Sequence, residues 1–388
     1  MKEKLTELFL NNMHFYIAGA QSRAKTLAGQ INFLYPETVI EAYLVDDLTE
    51  NDAEIGSVPV LLLRKLVDFH AEYPVLIATK GIYHEKIRKG LMEKGFSIII
   101  PVSIEVDTFF RNAYVEKVFG QENRSFYKVE WLSGKNADLW QEDREEFGGK
   151  VPLSLRRKLP TACIYIAKSI YDKPLRTEYT FPAYEKPIQV GAALTENRLS
   201  PDILTDDKGD NISEKNRQYC ELTALYWIWK HAKEEVLGLS HYRRHFVLPQ
   251  DWLERMTENQ VDVILPVPTY VQPSIEENYK ERHDASDWDF LKEYLKKTDT
   301  ESYQTSKVVF AGNLYSPCNM FIMRREVLDE LCGWMFPILD VITEHGGVKE
   351  DAYLNRYAGF ISERLITLFF HKNKDKYRIV YADKNFLT

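Results

Sequence analysis

Cysteine is sparse. The four in this 388-residue chain, Cys163, Cys220, Cys318 and Cys332, stand far apart, and none forms a C-x-x-C pair. That spacing argues against a disulfide framework or a thiolate zinc site and fits reduced thiols in the cytoplasm. Long apolar runs are missing as well: nowhere does the chain reach the roughly 20 uninterrupted apolar residues that a bilayer requires. The opening Met1-Lys-Glu-Lys-Leu is charged, with no apolar region behind it of the kind a secretory signal carries. A cytoplasmic protein is expected, at most touching the inner membrane face. Positive charge is not in excess either. The net charge of −8 and pI near 5.7 argue against a nucleic-acid surface.

What is present is an ordinary globular composition, 45% hydrophobic and 28% charged, over a length that suits two domains better than one core. The 13% aromatic share fits sugar-stacking surfaces and fits plain core equally well. Along residues 13–100, apolar strands alternate with helical patterns. Strands are predicted over 13–19, 39–45, 74–79 and 95–100, and helices over 20–34, 61–70 and 83–94. Continuous apolar strands in βαβ alternation predict a doubly wound parallel sheet, a Rossmann-like domain over residues 1–104. The pattern weakens over 105–159, apart from a candidate helix at 109–119, and reads as a connection. Its basic run Leu155-Arg-Arg-Lys-Leu-Pro reads as a solvated linker or as a contact with anionic lipid headgroups.

The remaining residues, 160–388, carry the densest pattern. Asp210, Asn211, Ser213 and Asn216 favour turns and helix N-caps. Tyr219, Leu222, Tyr226 and Trp229 follow at helical spacing and predict a helix with a buried aromatic face. Val236-Leu-Gly-Leu then predicts a buried strand running into Ser240-His-Tyr-Arg-Arg-His. A helix feeding a strand that ends in two arginines and two histidines has the form of an α/β site.

The run from Asp210 through Tyr219-Cys-Glu-Leu-Thr-Ala-Leu-Tyr-Trp to Gly238-Leu-Ser-His-Tyr-Arg-Arg resembles the DUF4422 family of bacterial polysaccharide-biosynthesis proteins. So do Pro187-Ile-Gln-Val-Gly, Cys318-Asn-Met-Phe-Ile-Met and the segment holding Arg356, Gly359, Glu363 and Arg364. The resemblance implies a GT-A-like fold and a glycosyltransferase. Its donor would be a UDP-hexose, UDP-galactofuranose included, and its acceptor a polysaccharide or lipid-linked oligosaccharide of capsule, exopolysaccharide or O-antigen synthesis. A non-catalytic sugar-nucleotide-binding scaffold is the alternative, a hydrolase or phosphotransferase a weaker one, and a homo-oligomer is admitted. The first domain resembles the Rossmann-like N-terminal domain of pilin-glycosylation-type sugar O-acyltransferases, which implies ligand contacts at Gly19, Asp46 and Asp47. Its first turn, Ala18-Gly-Ala-Gln-Ser-Arg-Ala, holds a single glycine, so Arg23 would pair with a phosphate directly. A purely structural domain fits as well.

Under this resemblance the donor side takes Lys168, after the first strand of the second domain. It also takes Gln189 on a base or ribose edge, Gly191 for close backbone approach, and Asn211, Asn216, Asn313 and Asn319. Tyr279, His283, Asp287 and Trp288 form an acceptor side. No Asp-x-Asp stands where a metal-dependent GT-A enzyme would carry it; Ser240-His-Tyr-Arg-Arg does. Guanidinium forks bind phosphate oxygens bidentately and keep their charge, so Arg243 and Arg244 are expected on the diphosphate. No metal ligands or cofactor are assigned; a divalent metal is admitted but not favoured. Asp287-Trp-Asp is formally such a motif, but in a helix its carboxylates diverge. His241 orients the leaving group or caps its strand. The base candidates are Asp210, Asp287, Glu350 and Asp351, with Glu363 read as paired to an arginine. Inversion and retention both stay open.

Overall fold

A computed structural model describes residues 2–11, 13–132, 159–176 and 178–387. The chain divides into two units, Met1–Ser125 and Phe126–Thr388. Residues 155–158 of the basic run lie outside the described residues.

The first unit begins with α1 (Lys2–Asn11) and β1 (His14–Ala18), followed by α2 (Ser22–Leu34) and β2 (Val39–Val45). Then come β3 (Glu54–Ile55), β4 (Val58–Leu62), β5 (Val75–Ile77), α3 (His84–Lys94), β6 (Ile99–Pro101) and α4 (Ile104–Gln121). The sheet order is β3-β4-β2-β1-β5-β6, parallel except for the β3–β4 pair. Both faces of β1 are covered. Phe15 and Ile17 join Ala24, Leu27 and Phe110 in one core, while Tyr16 and Ala18 join Leu91 and Phe96 in the other. Two-sided burial is why these strands read as unbroken apolar runs. The helix predicted over 61–70 is instead the end of β4 and one 3₁₀ turn at Leu63–Lys65. Val60 on β4 is the buried anchor there, and a third parallel strand outweighs local helix propensity. Helix α4 packs on α2, so residues 105–125 belong to this unit rather than to a connection.

The second unit opens with residues 126–132, whose Val129 and Leu132 are buried in its core. Its first strands are β7 (Ala162–Lys168), β8 (Glu185–Gln189) and β9 (Leu204–Thr205). Next come α5 (Asn216–Tyr219), α6 (Leu222–His231), β10 (Val236–His241), β11 (Phe246–Val247), α7 (Trp252–Glu258), β12 (Val263–Pro266) and β13 (Thr269–Tyr270). The chain continues through α8 (Ile275–Arg282), α9 (Ala285–Thr298), α10 (Thr300–Ala311), β14 (Leu314–Tyr315) and β15 (Phe321–Arg324). It ends with α11 (Arg325–Gly346), α12 (Tyr357–Lys372) and β16 (Ile379–Lys384). The main sheet runs β11-β16-β12-β15-β10-β7-β8-β9. Strands β8, β7 and β10 are mutually parallel, and β15 runs against both β10 and β12. Ile164, Ile166, Val236, Ile264 and Ile322 pack with Trp252 and Met256 in one core. Among the described residues no helix is long and apolar enough to cross a membrane.

Candidate active site

From β7 the chain moves outward to β8 and β9 on one side, then returns to place β10 on the other. Strand order therefore reverses between β7 and β10. Loops leaving such a reversal diverge and open a crevice at the carboxyl ends of the strands. The crevice here is a cleft of about 490 Å³, lined by Ala167 at the end of β7, by Ser169 and Asp172 just beyond it and by Val190 after β8. That volume lies within the usual range for small-molecule sites, ~300–1,000 Å³.

The end of β10 turns sharply. His241 and Arg244 exchange both backbone hydrogen bonds at 3.1 Å, a two-residue turn with Tyr242 and Arg243 at its tip. Directly paired residues in such a turn point to one face. Accordingly His241 and Arg244 both line the cleft, with Tyr242, while Arg243 does not. The guanidinium of Arg243 instead lies 5.1 Å from the Tyr242 ring centroid, with its Nε buried. Of the two arginines expected on a diphosphate, the turn delivers only Arg244.

The helix expected to run from Ser213 is broken. A 3₁₀ turn at Ser213–Lys215 and the short α5 lead to Cys220, whose φ of 52° and ψ of −129° end the helix before α6 begins. A non-glycine residue there is strained and needs support from its surroundings. Asn216 supplies some: its Nδ2 donates to the Cys220 carbonyl at 2.7 Å and to Thr223 Oγ1 at 3.0 Å. The break brings Asn216, Arg217, Cys220 and Glu221 to the cleft wall. Beside it, buried Asp206 accepts hydrogen bonds from the Gly191 and Ala192 amides at 2.9 and 3.0 Å and from Ser213 Oγ at 2.5 Å.

Charge in the cleft is predominantly cationic. Arg217, Arg244 and Arg356 line it against two carboxylates, Asp172 and Glu221. Among the described residues no carboxylate oxygen lies within ion-pair distance of these three guanidinium groups. Arg356 Nε donates to Cys220 Sγ at 3.1 Å. Burial pushes the Cys220 thiol up to about 12, so it stays protonated at neutral pH. Asp172 takes the Ser169 amide on one oxygen at 2.7 Å, and burial raises its carboxyl above the usual range. Glu221 accepts from Asn319 Nδ2 at 2.8 Å and faces His241 Nε2 at 3.7 Å.

The predicted site residues divide into three groups. Asn216, His241 and Arg244 line the cleft; Lys168, Gly191 and Asp351 adjoin lining residues in sequence. Asp351, however, uses its carboxylate on the Tyr353 and Leu354 amides of its own turn. Asn319 is buried beneath the floor, holding Glu221, Ser362 and the Gly359 carbonyl.

The second group is spent on structure. Both ends of the Gln189 amide are occupied by the loop backbone at Asn197 and Leu199, which leaves nothing to read a base. Asn211 caps its turn through Gly209 and Ser213, and Asn313 ties down the Val271 and Pro273 carbonyls. Asp210 bonds Tyr226 and His231, more than a helical turn along α6 from Glu221, so it does not reach the cleft. Tyr279 and Trp288 are fully buried, and Asp287 is buried against Lys349 at 2.6 Å. Asp289 is exposed and pairs with Lys280, so the two carboxylates of that triplet do diverge. His283 stacks on Phe360 at 4.1 Å. These four aromatic and acidic residues build a packing core rather than an open acceptor surface.

The third group lies in the first unit. A Cβ on Gly19 would meet Thr79 Cγ2 at 3.0 Å and the Ala78 carbonyl at 3.1 Å, so the glycine serves close contact between strand ends. Arg23 donates to the Thr79 carbonyl, Asp46 lies 3.9 Å from Lys86, and Asp47 caps a turn through Thr49.

Sequence reading passed over Asp172, Arg217, Cys220 and Glu221 as site residues and singled out Arg356 only as part of a motif. The signal for Asp172 was its place just past the end of β7. For the others only the break at Cys220 shows the side they face.

Fold and site together define a GT-A-like α/β domain with an arginine-lined cleft at the reversal of its sheet, preceded by a Rossmann-like unit. The family model described as a domain of unknown function, DUF4422, matches residues 173–374, and the chain belongs to that family. Among solved structures the chain is similar to the apo structure of WbbM, a bifunctional glycosyltransferase. The TM-score is 0.52 at 26% identity, covering 59% of this chain and 45% of that one. This chain thus spans less than half the length of that protein. No curated protein matches it.

Proposed function

We propose that the chain is a glycosyltransferase that binds a nucleoside-diphosphate hexose in this cleft and passes the sugar to a glycan or lipid-linked oligosaccharide. The observation that carries the reading is that Arg217, Arg244 and Arg356 all line the cleft, with no carboxylate in ion-pair reach among the described residues. Guanidinium groups without carboxylate partners at a sheet reversal suit a diphosphate. They neutralise the charge that develops as the sugar departs, without a bound divalent ion. The likeness to a bifunctional glycosyltransferase supports the same reaction class. UDP-hexoses, UDP-galactofuranose among them, are the donors to test.

The test uses the full chain, UDP, and a panel of UDP-hexoses with and without octyl β-galactoside as acceptor. UDP should bind, and UDP release should rise when acceptor is added, with EDTA present. Arg244→Ala should weaken UDP by about 10–100-fold, the range for losing one charge-assisted hydrogen-bonding group. Arg243→Ala should change it less than threefold or so. Failure of every nucleotide to bind would remove the reading. Activity abolished by EDTA and restored by Mn²⁺ would remove the arginine clamp.

A further inference from the structure

We propose that His241 is the general base of this site, taking the proton of the incoming acceptor hydroxyl on its Nδ1. The inference rests on the glycosyl-transfer reading above and adds to it a proton path and a stereochemical outcome.

The argument starts from the other ring nitrogen. His241 Nε2 lies 2.5 Å from the Cys318 carbonyl oxygen. A carbonyl has no proton to give, so Nε2 carries the hydrogen and donates it. The neutral ring then keeps its lone pair on Nδ1. Among the described residues Nδ1 has no hydrogen-bond partner, and the ring lines the cleft. This is the tautomer that a base facing substrate requires.

Four further contacts fix that arrangement. Glu221 Oε1 stands 3.7 Å from Nε2, on the protonated side, where it stabilises the imidazolium once Nδ1 has taken a proton. Asn319 Nδ2 holds that same oxygen at 2.8 Å. Cys318 and Asn319 both adopt left-handed backbone, φ 70° and 50°, uncommon for two successive non-glycine residues. Helix α12 holds the pair: the Cys318 amide donates to Glu363 at 2.5 Å, and Ser362 donates to Asn319 Oδ1 at 2.8 Å. Strained backbone at a site, supported from behind, orients His241 and Glu221 together. Glu221, Asn319 and Glu363 are therefore positioning residues, and His241 the catalytic one.

In the step itself, the acceptor O–H gives its proton to Nδ1 and its oxygen forms a bond to the anomeric carbon. The bond from that carbon to the diphosphate oxygen breaks, and its electron pair leaves with the nucleoside diphosphate, held by Arg244 and Arg356. The imidazolium later releases the proton to solvent. One displacement inverts the anomeric configuration.

The charged groups around His241 are Glu221 at the N-cap of α6, Asp172 from the loop after β7, Arg243 and Arg244 from its own turn, and Glu363 behind Cys318. Asp172 is the competing base, so both residues are tested. In His241→Gln, the Gln Nε2 can keep the bond to the Cys318 carbonyl while the basic nitrogen is lost. With the full chain, the best UDP-hexose of the panel and octyl β-galactoside, kcat should fall by about 10²–10⁴-fold. UDP affinity and thermal unfolding should stay near wild type. The acid limb of the kcat profile should vanish in His241→Gln and persist in Asp172→Asn, and proton NMR should show an inverted product. A retained product, or His241→Gln within about tenfold of wild type, would overturn the proposal. So would loss of the acid limb in Asp172→Asn alone. Absence of turnover in the wild-type chain would instead remove the glycosyl-transfer reading on which it stands.

Discussion

Gly191 and Asn216 sit so close that a Cβ on the glycine would come within 2.7 Å of the asparagine Oδ1. Gly191 also has φ 65°, in the left-handed region that other residues enter only at a cost. Asn216 in turn holds the Cys220 carbonyl, and Cys220 begins the wall that carries Glu221. A side chain at Gly191 would thus be felt at the floor of the cleft through one intermediate residue.

Gly191→Ala should destabilise the chain by about 2–3 kcal/mol, of which backbone conformation supplies roughly 1 and the collision with Asn216 the rest. Urea unfolding of Gly191→Ala alone and with Asn216→Ala separates these parts. The second substitution removes the Oδ1 and Cγ atoms at 2.7 and 2.9 Å and leaves only the Cβ at 3.1 Å, so the glycine change should cost less in that background, about 1–2 kcal/mol. Equal costs in both backgrounds would show that the contact is not felt.

Asp206 gives a stability test of the same loop. Its carboxylate satisfies two buried amides and Ser213 Oγ. Asp206→Ala leaves all three donors without their acceptor and should cost about 3 kcal/mol or more. Because Val190 and Asn216 flank this loop in the cleft, UDP binding should weaken alongside stability. A loss below about 1 kcal/mol in urea unfolding would contradict the geometry.

His283 sets a pH dependence. Burial lowers its pKa from 6.5 to about 4, with the Arg364 and Arg282 charges adding to the effect. Between those values the unfolded chain binds a proton that the native chain refuses. Stability is therefore complete above about pH 6.5 and is lost as pH falls towards 4. The shift corresponds to up to about 3 kcal/mol. His283→Phe, which keeps the stack on Phe360, should flatten unfolding free energy against pH over this window. An unchanged slope would assign the dependence to other groups.

Much of the architecture could be read directly. Apolar strands buried on both faces leave unbroken runs, so β1, β2, β5, β7 and β10 all fell where apolar residues cluster. The helix called over 61–70 failed because a third parallel strand pairs with β2 there, a non-local gain that no local propensity records. The arginine cluster was half legible. The side on which Arg243 points is set by a two-residue turn, and Arg356 arrives from a segment more than a hundred residues later.

By itself, then, the sequence determined the composition class, the βαβ alternation and the residues from which a cationic site could be drawn. Those follow from periodicity and chemistry within short windows. Only tertiary structure decided that Asp210 and Tyr279 serve packing while Glu221, Asp172 and Arg356 face the cleft. Orientation there depends on one strained residue, Cys220, and on contacts between segments far apart in the chain, and neither leaves a periodic trace.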